Sequence, residues 1–465
     1  MRVYIETLGC QMNKLDSELV ASALRAEGHE VLASREGADA VLYNTCSVRQ
    51  HAEAKVLGRL GAEAQRKAAG ARLIVGVIGC MAQRRGPELR EDCPQVDIVC
   101  APGQIHDLPA MLARAATGET IVATDPARNE PVDSDSDEAM DAMDLSRDPS
   151  AAASATQAFV RVQRGCNFFC SYCIVPFTRG PERSREPGQI VAEARRLIDS
   201  GRSEITLLGQ TVNSYRYQAG ETVVRFSDLL QRVAGIEGLR RLRFVTSHPR
   251  DFGNDVLEAM RDLPAVCEYI HCPAQSGSDA VLAAMNRKYT RGEYDDWVDR
   301  ARAIVPGVVL AGDFIVGFPG ETEADHQASA DLIRRSRYKN SFIFKYSPRP
   351  GTVSERKLAD AVPDAVKKRR NAELLAVQQE VGLAHHRAYV GSKLEVLVEG
   401  PSVKQRKGRR AATGSMLQLA GRSRGDHIVV FDGPASLAGQ YVDIHITDAT
   451  ALTLMGTTTF VKGRT

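Results

Sequence analysis

Residues 165–173 read GCNFFCSYC. Three cysteines, Cys166, Cys170 and Cys173, fall in a C-x3-C-x2-C spacing, and an aromatic residue, Tyr172, precedes the last. Thiolates at this density select zinc or an iron–sulfur cluster. No fourth Cys or His follows within the next turn. A structural zinc closes its coordination with protein ligands, whereas an open position is what catalysis requires. A four-iron cluster on three thiolates leaves one iron free to chelate a substrate. A three-thiolate zinc with a distant fourth ligand is the alternative. The apolar run "FVRVQ" (159–163) just before the loop reads as a strand. Active sites of parallel β/α barrels lie at that end of their strands.

Working outward, strand and helix patterns alternate. Strands are expected at "EITLLG" (204–209), "RLRFVTS" (241–247), "EYIHC" (268–272), "VVLAGDFIVGF" (308–318) and "SFIFKYS" (341–347). Helices are expected near Ile190–Ser200, Ser227–Ala234, Asp255–Arg261, Asp279–Met285, Arg291–Ile304 and Glu323–Ser336. About six β/α units make a parallel barrel, open or closed, within a core over 157–388. A long helix over Asp364–His386 leads out of it.

Residues 1–118 alternate in the same way and predict an α/β domain with a mostly parallel sheet. The strands are "RVYIETL" (2–8), "DAVLYNT" (39–45), "RLIVGVIG" (72–79) and "VDIVC" (96–100). Helices fall over Asp16–Gly28, Arg49–Ala69 and Ile105–Ala116. Cys10, Cys46 and Cys80 each end a strand. In a parallel sheet the C-terminal strand ends share one edge, where ligands bind, so a second metal site is one reading. Free cysteine is also a common buried residue, and Cys100 ends "VDIVC" in the same way. Cys93, beside Pro94, reads as an inert loop residue.

Between these domains, 119–156 includes "PVDSDSDEAMDAMDLSRDPSAAASAT", rich in acids and poor in bulky apolar residues. That composition predicts a mobile acidic linker. Residues 389–462 carry short runs split by glycine turns: "KLEVLVEG", "SMLQLAG", "DHIVVFDG" and "YVDIHITDATALTLMG". They predict a small β-barrel. Its "KQRKGRR" places Lys404, Arg406, Lys407, Arg409 and Arg410 in one loop, with Arg422 and Arg424 in the next. A basic patch on a small barrel tracks a phosphate backbone. "TRGPERSR" (178–185) adds Arg179, Arg183 and Arg185 near the barrel mouth as candidate RNA contacts. A solvated charged loop is the alternative for each.

Gross composition limits the classes. The 465 residues exceed one core and suggest about three domains. Net charge is +2, so any nucleic-acid surface must be local. Ten cysteines in a long chain with no signal peptide and no apolar run of membrane length point to metal or redox chemistry in the cytoplasm.

The C-x3-C-x2-C loop, with its aromatic residue before the third cysteine, resembles that of the radical S-adenosylmethionine enzymes. In them the methionine part of the cofactor completes the cluster's coordination. The resemblance implies that Tyr172 lies along the adenine. "GDFIVGFPGE" (312–321) resembles the family's later strand that also lines the cofactor, through Gly312, Asp313, Ile315 and Gly317. Glycine there would let backbone approach the ligand closely. "ETLGCQMNKLDSE", "NTCSVR" and the "GC" at 79–80 resemble the N-terminal domain of the methylthiotransferases. That likeness implies an auxiliary 4Fe–4S cluster on Cys10, Cys46 and Cys80. The tail resembles the TRAM domain, an RNA-binding barrel.

"GCQMNKLDSE", "VPFTRGPERSR", "AQSGSDAVLAAMNRKYTRGEY" and "YSPRPGT" resemble the methylthiotransferase branch that modifies C2 of prenylated adenosine beside the tRNA anticodon. Glu186, where proline is usual, and Cys272, where leucine is usual, depart from the pattern. Cys267 and Cys272 read as buried strand residues. The resemblance implies two 4Fe–4S clusters, S-adenosylmethionine, a tRNA substrate and a low-potential donor such as a flavodoxin. It also implies a monomer away from membranes. An aromatic C–H bond has no acidic proton, so radical chemistry is the implied route. A ribosomal-protein aspartate, threonylcarbamoyl-adenosine in tRNA, and a non-catalytic iron–sulfur RNA-binding role are the rival readings.

Overall fold

A computed structural model describes residues 1–47, 50–126, 134–151, 154–408 and 416–458. The chain divides into two compact units. One comprises Met1–Ala153, Ala158–Arg225 and Arg349–Thr352; the other comprises Ser154–Gln157, Phe226–Pro348 and Val353–Thr465.

The first unit holds a six-stranded sheet. Its strands are β1 (Arg2–Leu8), β2 (Glu30–Leu32), β3 (Ala40–Thr45), β4 (Ile74–Gly79), β5 (Ile98–Cys100) and β6 (Ile121–Ala123), in the order β2-β1-β3-β4-β5-β6. Every pairing is parallel. Ala40, Val41, Leu42 and Tyr43 of β3 are fully buried, which is why that strand reads as a continuous apolar run. The helices are α1 (Gln11–Ala26), α2 (Gln50–Ala68), α3 (Cys80–Arg85), α4 (Glu88–Asp92), α5 (Leu108–Ala116) and α6 (Ser134–Ser146). The two strands missed in the sequence, β2 and β6, are three residues each and too short to show a period.

The acidic stretch departs from expectation. Ser134–Ser146 is helical rather than a mobile linker. Met140 and Met143 on α6 are buried, and Asp144 is fully buried. Asp137, Asp141 and Asp144 recur at helical spacing and meet arginines of the following segment. Asp144 Oδ2 accepts from Arg161 Nη2 at 2.7 Å, Asp141 Oδ1 accepts from Arg164 Nη2 at 2.7 Å, and Asp137 pairs with Arg183. The acids pair with Arg161, Arg164 and Arg183 instead of solvating a tether.

The rest of this unit begins the core. After the strand Gln157–Arg161, the Val162 N–H donates to the Leu208 carbonyl at 2.9 Å, beside the strand Glu204–Leu208. Between them runs the helix Pro187–Asp199, whose N-cap is Glu186. Its carboxylate accepts from the Gly188 and Gln189 N–H groups, a cap proline cannot supply.

In the second unit a parallel sheet takes the order Tyr269–His271, Val309–Val316, Asn340–Lys345. Helices Arg291–Ile304 and Glu323–Ser336 both begin with capping boxes, Thr290 with Glu293 and Thr322 with Asp325. The expected long helix spans Asp364–Arg387. The tail is a closed five-stranded barrel around Val396, Val398, Leu419, Val429, Ile444, Ile446 and Leu454. Arg241 and Arg243 fix it to the core by donating to the carbonyls of Arg422 and Arg424, each at 2.7 Å. Among the described residues no helix is long and apolar enough to cross a membrane.

Asp144→Ala is expected to strip the balancing charge from buried Arg161 and Arg185. Removing one partner of a buried pair costs about 3–5 kcal/mol. Equilibrium denaturation of the variant checks this, and a loss below about 1 kcal/mol, the level of a surface pair, would show that α6 is not an integral part of the unit.

Candidate metal centres

The sheet register decides which cysteines converge. Leu8 pairs with Thr45, and Thr45 pairs with Gly79. Cys46 and Cys80 therefore lie one residue beyond the same level, on adjacent strands, and Cys10 lies two beyond it. Cys10 is the N-cap of α1, and its Sγ donates to Asn13 Oδ1 at 3.2 Å. Cys80 opens α3. Cys100 pairs with Ile78, so it is still inside its strand while Cys80 is past the end of β4. Cys100 is fully buried, and burial, followed by the charges of Asp125, Asp107 and Asp16, pushes its thiol pKa well up.

The three edge thiols share one electrostatic environment. A hydrogen bond from Cys46 lowers the Cys10 pKa to about 6, against the effect of burial and with help from Arg179. Burial raises Cys80, with Arg179 opposing the shift. Arg179 Nε donates to Cys80 Sγ at 3.3 Å, and its Nη2 donates to Asp16 Oδ2 at 2.8 Å. Although burial opposes a charge on Arg179, Asp16 and the nearby thiols hold it positive. Three soft donors under a fixed cation suit an anionic thiolate-bound centre.

The second triad lies on a loop without regular secondary structure. Cys166 and Cys170 are buried, while Cys173 and Tyr172 are half-buried. The Phe168 N–H donates to Cys166 Sγ at 3.4 Å, and Thr211 Oγ1 lies 3.7 Å from it. Burial raises the Cys166 pKa, while those two contacts oppose the rise. Backbone N–H groups aimed at sulfur are how a protein tunes a thiolate-bound cluster. The loop depends on Gly165, which has φ +71°; a Cβ there would lie 1.9 Å from the Pro181 carbonyl oxygen.

Asp16 and Arg161 were not singled out in the sequence, and Arg179 was expected at RNA rather than beside a thiol. Arg161 Nη1 also donates to Asp16 Oδ1, at 3.4 Å. The signal was the run of arginines after 160 set against acids at helical spacing before it. Two expected RNA contacts are corrected. Arg179 is consumed by Asp16 and Cys80. Arg185 is fully buried and donates to Glu193 and to the Arg161 carbonyl. Burial of two cations with internal acceptors leaves neither for a phosphate. Arg183 keeps 41% of its side chain exposed.

The strand Val309–Val316 carries the residues expected to line the cofactor. Asp313 and Ile315 lie on its partly open face, and Asp313 Oδ1 meets His271 Nε2 at 3.1 Å. The two glycines answer to packing instead. A Cβ on Gly312 would meet the Tyr338 ring at 3.3 Å, and one on Gly317 would meet Lys367 Cγ at 2.4 Å. In the tail, Lys404 and Arg406 sit on a short helix, Val403–Arg406, rather than in a loop, and both are exposed with Lys407. Arg409 and Arg410 lie outside the described residues. Arg422 pairs with Glu399 and Asp426, and Arg424 with Glu268, so both serve the fold. Cys267 and Cys272 are buried as expected.

Comparison with known proteins places this architecture. The Radical SAM superfamily model matches residues 160–333, "Uncharacterized protein family UPF0004" matches 2–101, and the TRAM domain matches 387–459. A radical S-adenosylmethionine methyltransferase, TsrM from Kitasatospora setae, shares the fold at TM-score 0.53 and 14% identity over 76% of this chain and 74% of its own. The chain is a radical S-adenosylmethionine enzyme, a class that implies S-adenosylmethionine and a 4Fe–4S cluster. A tRNA-2-methylthio-N(6)-dimethylallyladenosine synthase from Rhodopirellula baltica is 46% identical over 98% of this chain and 95% of its own. One from Moorella thermoacetica is 41% identical over 97% of each. The chain belongs to the tRNA-2-methylthio-N(6)-dimethylallyladenosine synthase family.

In metal-free protein, Cys10 is expected to be the fastest of the edge thiols to alkylate at pH 7. Its rate should fall as pH drops below about 6, where the thiolate is protonated. Arg179→Gln should move that midpoint upward. Peptide mass spectrometry across a pH series reads both, and a Cys10 midpoint near 9, unchanged by the variant, would refute the electrostatic assignment.

Proposed function

We propose that this chain attaches a methylthio group to C2 of N6-dimethylallyladenosine beside the tRNA anticodon, using two 4Fe–4S clusters. Cys166, Cys170 and Cys173 hold the cluster that binds S-adenosylmethionine; Cys10, Cys46 and Cys80 hold the auxiliary one. The observation that carries the reading is the convergence of Cys10, Cys46 and Cys80 under Arg179. Arg179 lies six residues past Cys173, so one segment serves both triads. The relatives' shared name favours prenylated adenosine over a ribosomal-protein aspartate or threonylcarbamoyl-adenosine. When bound, the clusters and S-adenosylmethionine supply the electron, the radical and the sulfur that an unactivated aromatic C–H bond requires.

The chain's own residues do the rest. Phe168 N–H and Thr211 stabilise the Cys166 thiolate. Arg179 offsets negative charge at the auxiliary site and is itself held by Asp16. Tyr172, Asp313 and Ile315 are assigned to S-adenosylmethionine. Arg183, Lys404, Arg406 and Lys407 are assigned to RNA phosphates, with Arg409 and Arg410 of the same basic run. The expected partners are tRNA and a flavodoxin-like donor, with the chain acting as a cytoplasmic monomer.

Anaerobically reconstituted protein is the test. Cys166→Ala should release no 5′-deoxyadenosine after dithionite. Changing Cys10, Cys46 and Cys80 together to Ala should remove about one cluster's iron and all methylthio product while cofactor cleavage persists. Cys100→Ala should keep its iron. Undiminished cleavage in Cys166→Ala, or iron lost with Cys100 and kept without the triad, would overturn these assignments.

A further inference from the structure

The large aromatics of the second unit are almost all inside. Phe314, Phe318 and Tyr338 are 0% exposed and Trp297 1%, yet Phe342 is 52% exposed and Phe344 39%. Both stand on the strand Asn340–Lys345, two residues apart, so they share one face. Their rings are nearly parallel, 17° apart with centroids separated by 6.3 Å. The register sets them beside the strand already assigned to the cofactor: Asp313 pairs with Phe342 and Ile315 with Phe344. The opposite face, Phe314 and Val316, is buried. The open face thus carries two aromatic rings, an aliphatic side chain and the polar pair His271–Asp313.

We propose that Phe342 and Phe344 receive the target base itself, with the adenine ring and its five-carbon N6 substituent lying against the two phenyl rings. The inference rests on the tRNA reading above and adds the residues that recognise the prenyl mark. Aromatic side chains stack unpaired bases of either purine or pyrimidine type. An adenine with an N6 hydrocarbon chain presents additional apolar surface that leaves water favourably only against an apolar wall. An exposed pair of phenylalanines beside hydrogen-bonding groups matches a ligand that is flat, polar at its edge and greasy at one corner. Because the wall is apolar, it selects for the prenyl group and gives an unprenylated adenosine little to replace it.

The test compares two anticodon stem-loop RNAs, with and without the dimethylallyl group, binding to the reconstituted full chain. The wild type should prefer the prenylated RNA. Phe342→Ala with Phe344→Ala should reduce that preference by about tenfold or more, the range for apolar groups in a pocket. Most of the loss should fall on the prenylated RNA. Replacing both with Leu keeps an apolar surface on side chains that already face solvent, and should restore part of the preference. An unchanged preference in the double Ala variant overturns the proposal. So does an unchanged preference accompanied by a raised S-adenosylmethionine requirement, which assigns the face to the cofactor instead. A wild-type chain that forms no methylthio product on prenylated RNA refutes the functional reading, a failure visible without any variant.

Discussion

One buried carboxylate organises the first unit. Asp16, 1% exposed on α1, accepts from Arg179 on one oxygen and from Arg161 on the other. Arg161 ends the first strand of the radical core and also binds Asp144 of α6. Arg179 ends the segment that follows the cysteine loop and reaches Cys80. A single side chain thus ties the sheet edge, the core strand and the acidic helix into one charge-balanced cluster. Charges buried this deeply persist only when paired, so none of these elements can be moved without stranding a cation.

Function follows from that constraint. The parallel sheet brings its strand ends to one edge, and its register sets Cys46 and Cys80 one residue past a common level while Cys100 stays inside its strand. The core supplies a loop closed against Gly180 and Pro181, where the Cys166 N–H donates to the Gly180 carbonyl at 3.2 Å. Backbone geometry positions both triads: strand ends of the parallel sheet for one, and the loop at Gly165 for the other. The network around Asp16 adds the positive charge that thiolates need when buried.

Much of this was legible in the sequence. Strand ends at Cys10, Cys46 and Cys80 follow from apolar runs, and the five-stranded tail follows from glycine-split strands. The cysteine loop declares its own chemistry. What stayed hidden depended on partners distant in sequence. The stretch around Asp137, Asp141 and Asp144 looks like a solvated tether because its apolar content is low; the arginines that make it a packed helix lie 17 to 46 residues later. Arg179 and Arg185 look like nucleic-acid contacts for the converse reason, since their internal acceptors are far upstream or on the next helix. Gly312 and Gly317 suggested room for a ligand, and the room is taken by Tyr338 and Lys367. Periodicity reports burial of apolar faces, and it is blind to charge pairs closed by tertiary structure.

The most direct measurement of the central claim is mass spectrometry of nucleosides from the tRNA of cells that lack this chain. The account predicts that N6-dimethylallyladenosine accumulates without its methylthio group. The native chain should restore the modification, and a chain with Cys10, Cys46 and Cys80 replaced by Ala should not. Methylthio-modified nucleoside persisting in the deleted cells, or returning with the triad variant, would contradict it.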